Sequence, residues 1–156
     1  MEIRRAKPRD IPGMIALLYQ VGDVHHNIRP DIFRPNAQKY GASQVLAMLN
    51  SPRSPIFVAV EDDKVLGYGF CKVKIYQDDP VVNDHTELYI DDLCVDENHR
   101  NQHIGSALYD HAVSYAKEIG CDFLTLNVWC GNDSAQKFYE HAGLTPRNIM
   151  METKLC

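Results

Sequence analysis

The sequence predicts one mixed α/β (α+β) domain, residues 1–156, built on a largely antiparallel sheet. Two patterns carry this reading. In the first half, two apolar runs flank a tight Glu61-Asp62-Asp63-Lys64 turn, the mark of a β-hairpin. In the second half strands alternate with helices, which implies a strand–helix–strand crossover. At 156 residues, 45% hydrophobic and 24% charged, the chain has ordinary globular composition and enough length for one proper core. It shows no internal repeat and no low-complexity linker.

Taken in order, "EIRRA" reads as a short first strand. Pro8 to about Val21 reads as a helix, with Ile11, Met14, Ile15 and Leu18 at helical spacing. The Pro-containing stretch "HHNIRPDIFRPN" is irregular, and a second helix follows over Ser43–Leu49. "PIFVAVEDDKVLGYGFCKVKIY" is the hairpin, "VVNDH" a loop, and Glu87 to Val95 a strand. A long helix then carries Ile104, Leu108, Ala112, Ala116 and Ile119 on one stripe and ends at Gly120, a glycine suited to a helix C-cap. "DFLTLNVW" is a further strand. "NDSAQKFYEHAG" is a short helix in which Asp133 and Gln136 are spaced as a capping box and Gly143 follows the end. "RNIMMETKL" is expected to close the sheet.

Composition narrows the function. The net charge is −5 and the lysines and arginines are scattered, so no concentrated basic face exists for a nucleic acid. No apolar run is long enough to span a bilayer, and the opening "MEIRRAKPRD" lacks the apolar core of a signal peptide. The five cysteines, an odd number without a CxxC pair, fit neither a disulfide framework nor a zinc site. His25 and His26 are adjacent rather than four apart, so they make no helical metal pair. His99, His111 and His141 read as surface residues and Trp129 as packing. The expectation is a reduced, cytoplasmic protein that binds no metal, nucleic acid or membrane.

The informative stretch is Asn101 to Leu108, "NQHIGSAL", which leads from a strand into a helix. Gly105 stands in the first turn, where alanine would favour the helix by about 1 kcal/mol. Free N–H groups at a helix amino end, together with the macrodipole, suit a phosphate or pyrophosphate, and a glycine lets the anion reach the backbone. Alternatively Asn101 caps the helix and Gly105 packs on the sheet. A Walker loop needs Gly-Lys-Ser/Thr where this chain has Gly-Ser-Ala. The dinucleotide fingerprint needs three glycines, and only one is present.

Gln102-His103-Ile104-Gly105-Ser106-Ala107 resembles in register the Arg/Gln-x-x-Gly-x-Gly/Ala phosphate signature of the GNAT superfamily of N-acetyltransferases. The preceding "YIDDLCVDENHR" is similar to that family's central strand and its lead into the loop. Asn132-Asp133-Ser134-Ala135 with Phe138-Tyr139 resembles its second signature. The likeness is strongest over residues 87–155. It departs from the family at Asn101 and His103, where glycines are frequent, although Asn tolerates a left-handed conformation.

The resemblance implies a splayed central strand and acetyl-CoA as cosubstrate. By that likeness the backbone around Leu93, Cys94 and Val95 holds the acetyl-pantetheine end. Arg100, Asn101, Gln102, His103, Ile104, Gly105, Ser106 and Ala107 hold the pyrophosphate, and Asn132 contacts the cofactor. Asp92 interrupts the apolar row of Leu88, Ile90 and Cys94, and a bulge beside Asp91 and Asp92 would re-aim it; a strand end leaving the core is the rival reading. Acetyl transfer needs a neutral amine, and Asp91 or Glu87 would accept its proton, directly or through water. Tyr139 would protonate the leaving thiolate, although its place beside Ala135, Phe138 and Ala142 equally suits a core tyrosine. The irregular "HNIRPDIFRP", with Arg29 and Arg34, reads by itself as a locally salt-bridged loop, and the resemblance assigns it to acceptor recognition. The acceptor is a small-molecule or a protein amine, and a homodimer stays open. The alternative to the enzyme is a catalytically silent CoA-binding module of regulatory or structural role.

Overall fold

The computed structural model describes residues 1–156. Its elements are β1 (Glu2–Arg5), α1 (Ile11–Ile28), α2 (Ala42–Leu49), β2 (Ile56–Glu61), β3 (Lys64–Tyr76), β4 (His85–Val95), α3 (Ile104–Glu118), β5 (Phe123–Leu126) and α4 (Asp133–His141). The five strands lie in sequence order in one sheet. All neighbours are antiparallel except β4 and β5, which run parallel because α3 connects them. This is the mixed, mostly antiparallel architecture that the sequence predicts. No helix is long and apolar enough to cross a membrane.

Strand alternation divides the core between the two faces of the sheet. Ile56, Val58 and Val60 of β2 face Met14, Leu17 and Leu18 of α1 and Val45 of α2, while Phe57 and Ala59 face α3. Ile104, Leu108, Ala112 and Ala116 form the buried stripe of α3, whereas Ile119, expected on the same stripe, is 39% exposed. Gly67 explains how closely α3 sits: a Cβ there would lie 2.9 Å from the Cys94 carbonyl oxygen and 3.0 Å from Leu108 Cδ1. The hairpin turn is tight because Asp62 and Asp63 both adopt positive φ, the backbone of a two-residue hairpin turn.

Several boundaries differ from the sequence reading. The first helix does not stop near Val21 but runs to Ile28, taking in His25 and His26. Gly22 lies inside it, where a Cβ would come within 2.2 Å of the Ala37 carbonyl oxygen, so this glycine admits the following segment. The strand expected over "DFLTLNVW" is limited to Phe123–Leu126. The cap of α4 is Asn132, whose side chain accepts from the Ala135 amide, rather than Asp133; Gln136 instead bonds Glu140. His111 is not a free surface residue, since its ring packs 4.7 Å from that of Phe57. Finally, "RNIMMETKL" does not close the sheet: residues 145–156 are exposed and belong to no strand.

Candidate functional site

The site begins with a change of register in β4. Phe70 pairs with Asp92 but the next residue, Cys71, pairs with Ile90, so Asp91 is the extra residue of a β-bulge. The bulge reverses the alternation. Leu88 and Ile90 face α3, as do Leu93 and Val95, while Cys94 turns to the α1 side. The expected single row of Leu88, Ile90 and Cys94 is therefore split across the two faces. At the same level the pairing with β5 ends, the last rung being Ile90↔Leu126. Residues 91–95 keep β3 on one side and have no strand on the other, so the sheet opens into a V along the backbone of Leu93, Cys94 and Val95.

From the open strand the chain passes through Asp96, whose carboxylate accepts from the Asn98 amide and the Gln20 side chain and so ties the turn to α1. Arg100, Asn101, Gln102 and His103 follow, exposed to solvent. Asn101 and His103 both take φ near +61°, and His103, not Asn101, occupies the N-cap position of α3. The left-handed residues turn the strand sharply into the helix without the expected glycines. The first helical bond runs from the Ala107 amide to the His103 carbonyl. The amides of Ile104, Gly105 and Ser106 precede it and donate to no protein group, which is the arrangement an anion needs. Ile104 contributes only its amide, because its side chain is buried under the sheet. A Cβ at Gly105 would meet Phe138 at 3.6 Å and Val95 Cγ2 at 3.7 Å, ordinary contacts, so packing alone does not require this glycine.

The carboxylates differ sharply from one another. Glu87 is buried and receives hydrogen bonds from Arg147 and Thr125 and a 3.1 Å contact from His85. Burial pushes its pKa up, but those bonds outweigh burial and hold it below the usual range. Asp91 accepts from the Tyr40 hydroxyl and lies 3.0 Å from Lys39 and 3.7 Å from Lys72. Here too burial is overcome, by Tyr40 and Lys39, and the pKa is lowered. Asp92 has the opposite fate. Burial raises its pKa to about 6 against the opposing effect of the 2.8 Å bond from Tyr68 Oη. Glu87 and Asp91 were expected on one strand face, yet they share no partner.

Tyr139 lies half-buried on α4, packed edge-on against Phe138 at 5.0 Å and Tyr109 at 6.3 Å. Burial and then the nearby Asp92 charge raise its pKa, so the phenol stays protonated, and its hydroxyl is bonded to no protein group. Asn132 spends its side-chain oxygen on the cap of α4, which leaves only its amide nitrogen free. Burial pushes the Cys71 and Cys94 thiols up to about 12, so neither supplies a thiolate at neutral pH.

The irregular segment after α1 packs across the mouth of this region. Phe33 stacks on His25 at 5.0 Å and meets Trp129 edge-on at 4.9 Å, while its carbonyl oxygen is 2.7 Å from His26 Nδ1. Arg29 forms ion pairs with Asp31 and Glu152. The sequence reading missed Asp92 as a titrating group, Tyr68 as its hydrogen-bond partner and Tyr40 as the partner of Asp91. Asp92's break in an apolar row was the available signal; the tyrosines gave none, since their partners lie 51 and 24 residues away.

Comparisons with known proteins agree with this geometry. A family model described as the acetyltransferase (GNAT) family matches residues 23–144. A crystallised mutant of the BH1408 protein from Bacillus halodurans is 31% identical, with all of both chains covered and a TM-score of 0.95. The aminoglycoside N-acetyltransferase AAC(6')-Iy, solved with CoA, is 13% identical over 99% of this chain and 100% of its own, with a TM-score of 0.72. An aminoglycoside acetyltransferase from an uncultured soil metagenomic sample is 20% identical over 99% and 96%, with a TM-score of 0.73. The last two show likeness of fold. No curated protein matches the sequence. With the family model spanning most of its length, from within α1 to three residues past α4, the chain belongs to the GNAT family of acetyltransferases.

Proposed function

We propose that the protein, acting as one domain, is an acetyl-CoA-dependent N-acetyltransferase that acetylates a primary amine by direct attack in a ternary complex. The observation that carries this is the opening of β4 at Asp91, directly ahead of the three free amides at the start of α3. Such a run of backbone fits an extended amide-bearing arm that ends in a pyrophosphate. Leu93, Cys94 and Val95 would bond the arm, and Ile104, Gly105 and Ser106 the phosphates, with Gln102, His103 and Ala107 around them. Arg100 has no carboxylate partner and adds a free positive charge, and the side-chain nitrogen of Asn132 is available to the cofactor.

Acetyl-CoA supplies an activated thioester, and the rest is done by this chain. An amine arrives largely protonated and must lose a proton to attack. Asp91 is held by Lys39 and Lys72 and Glu87 by Arg147, which keeps both charged and makes each a weak base. Asp92, with a pKa of about 6, is better matched than either to accept the proton near neutral pH. The carbon–nitrogen bond forms as the carbon–sulfur bond breaks, the attacking nitrogen gives up its second proton to solvent, and Tyr139 gives its proton to the leaving sulfur. Solvent then returns the proton from Asp92 to Tyr139. The protonated cysteines favour this direct route over a covalent acyl-enzyme.

For the acceptor, a small-molecule amine is favoured, because the aromatic contacts of Phe33 and Trp129 make a compact wall and the two aminoglycoside enzymes share the fold. Gln38 Oε1, in the same segment, is buried without a donor and could take one from the acceptor. Thiol release from acetyl-CoA should be measured across aminoglycosides, polyamines, amino acids and peptides. Amine-dependent, saturable release is expected. Folded protein that binds CoA yet releases no thiol with any amine would favour the silent CoA-binding module instead.

A further inference from the structure

The chain carries a net charge of −5, yet the sheet face on the α1 side is locally cationic where the helices cease to cover it. Tyr68 and Phe70 of β3 pack beneath α1, and the strand's alternation then sets Lys72 and Lys74 on the same face. Across the ladder these lysines pair with Tyr89 and Glu87 of β4, just before the bulge at Asp91. Lys72, Lys74 and Tyr89 are only partly buried, so the strip is open to solvent. Asn127 donates its side-chain amide to Tyr89 Oη at 3.0 Å and stands two residues before Trp129, which ties the strip to the aromatic wall.

The charges along this strip do not balance. Apart from Asp92, the carboxylates of β4 on this face are Asp91 and Glu87, and both are spent within the protein. Asp91 takes Lys39 at 3.0 Å and the Tyr40 hydroxyl, while Glu87 takes Arg147, Thr125 and His85. Lys72 is left with a loose 3.7 Å contact to Asp91. Lys74 has lost its cross-strand partner Glu87 to Arg147, and its ammonium lies 3.8 Å over the Tyr89 ring without an ion pair. The Tyr89 hydroxyl accepts from Asn127 and keeps its own proton to donate. Two ammonium groups and a hydroxyl thus line one strip, and like charges about 7 Å apart favour an anion between them.

We propose that the acceptor is an amine bearing a negative group, a carboxylate or a phosphate, and that Lys74 binds that group together with Lys72 and Tyr89. The acetyltransferase reading, on which this inference rests, puts the reacting nitrogen near Asp92 and the open strand, at one end of the strip. Lys74 stands about 7 Å beyond Lys72, and two residues of extended peptide span about the same distance. An acceptor of dipeptide length therefore reaches both ends. A polycation would meet ammonium groups where it needs acids.

Acetylation should be compared between dipeptides and the same dipeptides with amidated C-termini, which share their length and α-amino group and differ by one charge. The acids should have KM values at least about tenfold lower, the effect of one charge-assisted hydrogen bond. Aminobutyl phosphate and δ-aminovalerate, each against n-pentylamine, tell a phosphate from a carboxylate. Lys74→Met keeps the stem over Tyr89 and should bring the ratio of neutral to anionic KM to about one, whereas Lys74→Arg retains it. Calorimetry of the N-acetylated compounds with CoA present reads the same ratio without turnover. Anion-selective binding that Lys74→Met abolishes, with no thiol release, would keep the subsite and overturn acetyl transfer. Equal values for every anionic compound and its neutral partner in both assays overturn the subsite, and this comparison in the parent stands even if the variant misfolds. Binding of neither form, or a preference that survives in folded Lys74→Met, also overturns it.

Discussion

Asp91 and Asp92 are chemically the same side chain at neighbouring positions, and the fold assigns them opposite electrostatics. Asp91 sits among Tyr40, Lys39 and Lys72 and stays charged; Asp92 has one hydrogen bond, from Tyr68, and is held near pH 6 by burial. Asp92→Asn keeps an acceptor for Tyr68 while removing the proposed base, so kcat should fall at least about tenfold. The kcat of the parent should decline below about pH 6 as Asp92 takes up its proton. The same shift makes a stability prediction. The folded pKa lies above the value of 3.8 for a free carboxyl, so Asp92 favours the folded state below that value and loses this contribution as pH rises through about 6. Asp92→Asn cannot ionise, and its melting temperature should gain on the parent between pH 4 and pH 7; a constant difference would contradict the raised pKa. Tyr139→Phe keeps the ring against Phe138 and Tyr109 and removes only the hydroxyl. We expect a kcat loss of at least about tenfold with CoA affinity and melting temperature nearly unchanged. Parental kcat in the folded variant would return Tyr139 to a packing role.

Among the elements, β4 and α3 define the site together. The bulge at Asp91 reverses which side chains face α3, and the helix then presses on β3 through the space left by Gly67. Gly67→Ala would place a methyl against the backbone oxygen of Cys94, which cannot rotate away. Urea unfolding should show a loss of about 1–3 kcal/mol, as for an overpacked core. Gly105 separates packing from binding, because a Cβ there meets only ordinary contacts at 3.6–3.7 Å. Gly105→Val should therefore leave the fold intact and raise the CoA dissociation constant at least about tenfold, a loss of about 1.4 kcal/mol. Calorimetry on the folded variant checks it, and unchanged affinity would remove the phosphate role from this turn. The element sequence was readable because Gly120 and Gly143 lie at positive φ just past the helices they end, and because apolar spacing follows the helix and strand periods. The end of α1 was not readable, since Gly22 answers to Ala37, fifteen positions along the chain and in contact only in the fold.

At the scale of the whole molecule, the proposed acceptor region is made by segments far apart in sequence. Phe33, from the stretch after α1, meets Trp129, from the stretch after β5, and Lys39 and Tyr40 reach Asp91 on β4. Phe33→Ala should raise the acceptor KM several-fold and leave the acetyl-CoA KM nearly unchanged. A shift confined to the acetyl-CoA KM would move the acceptor elsewhere. By itself the sequence determined what depends on neighbours along the chain: the helices and hairpin, the strand-to-helix turn at Asn101–Ala107, and a bulge as one of two readings of a carboxylate in an apolar row. Periodicity and local backbone preference act over a few residues, so they can be read in order. The tertiary structure alone decided that Asp92 rather than Asp91 titrates near neutrality, that Glu87 is tied to Arg147, and that residues 147–155 leave the sheet edge unpaired. Desolvation, ion pairing and strand partnership depend on groups brought together from 24 to 60 positions away, and no local pattern encodes which of them arrive.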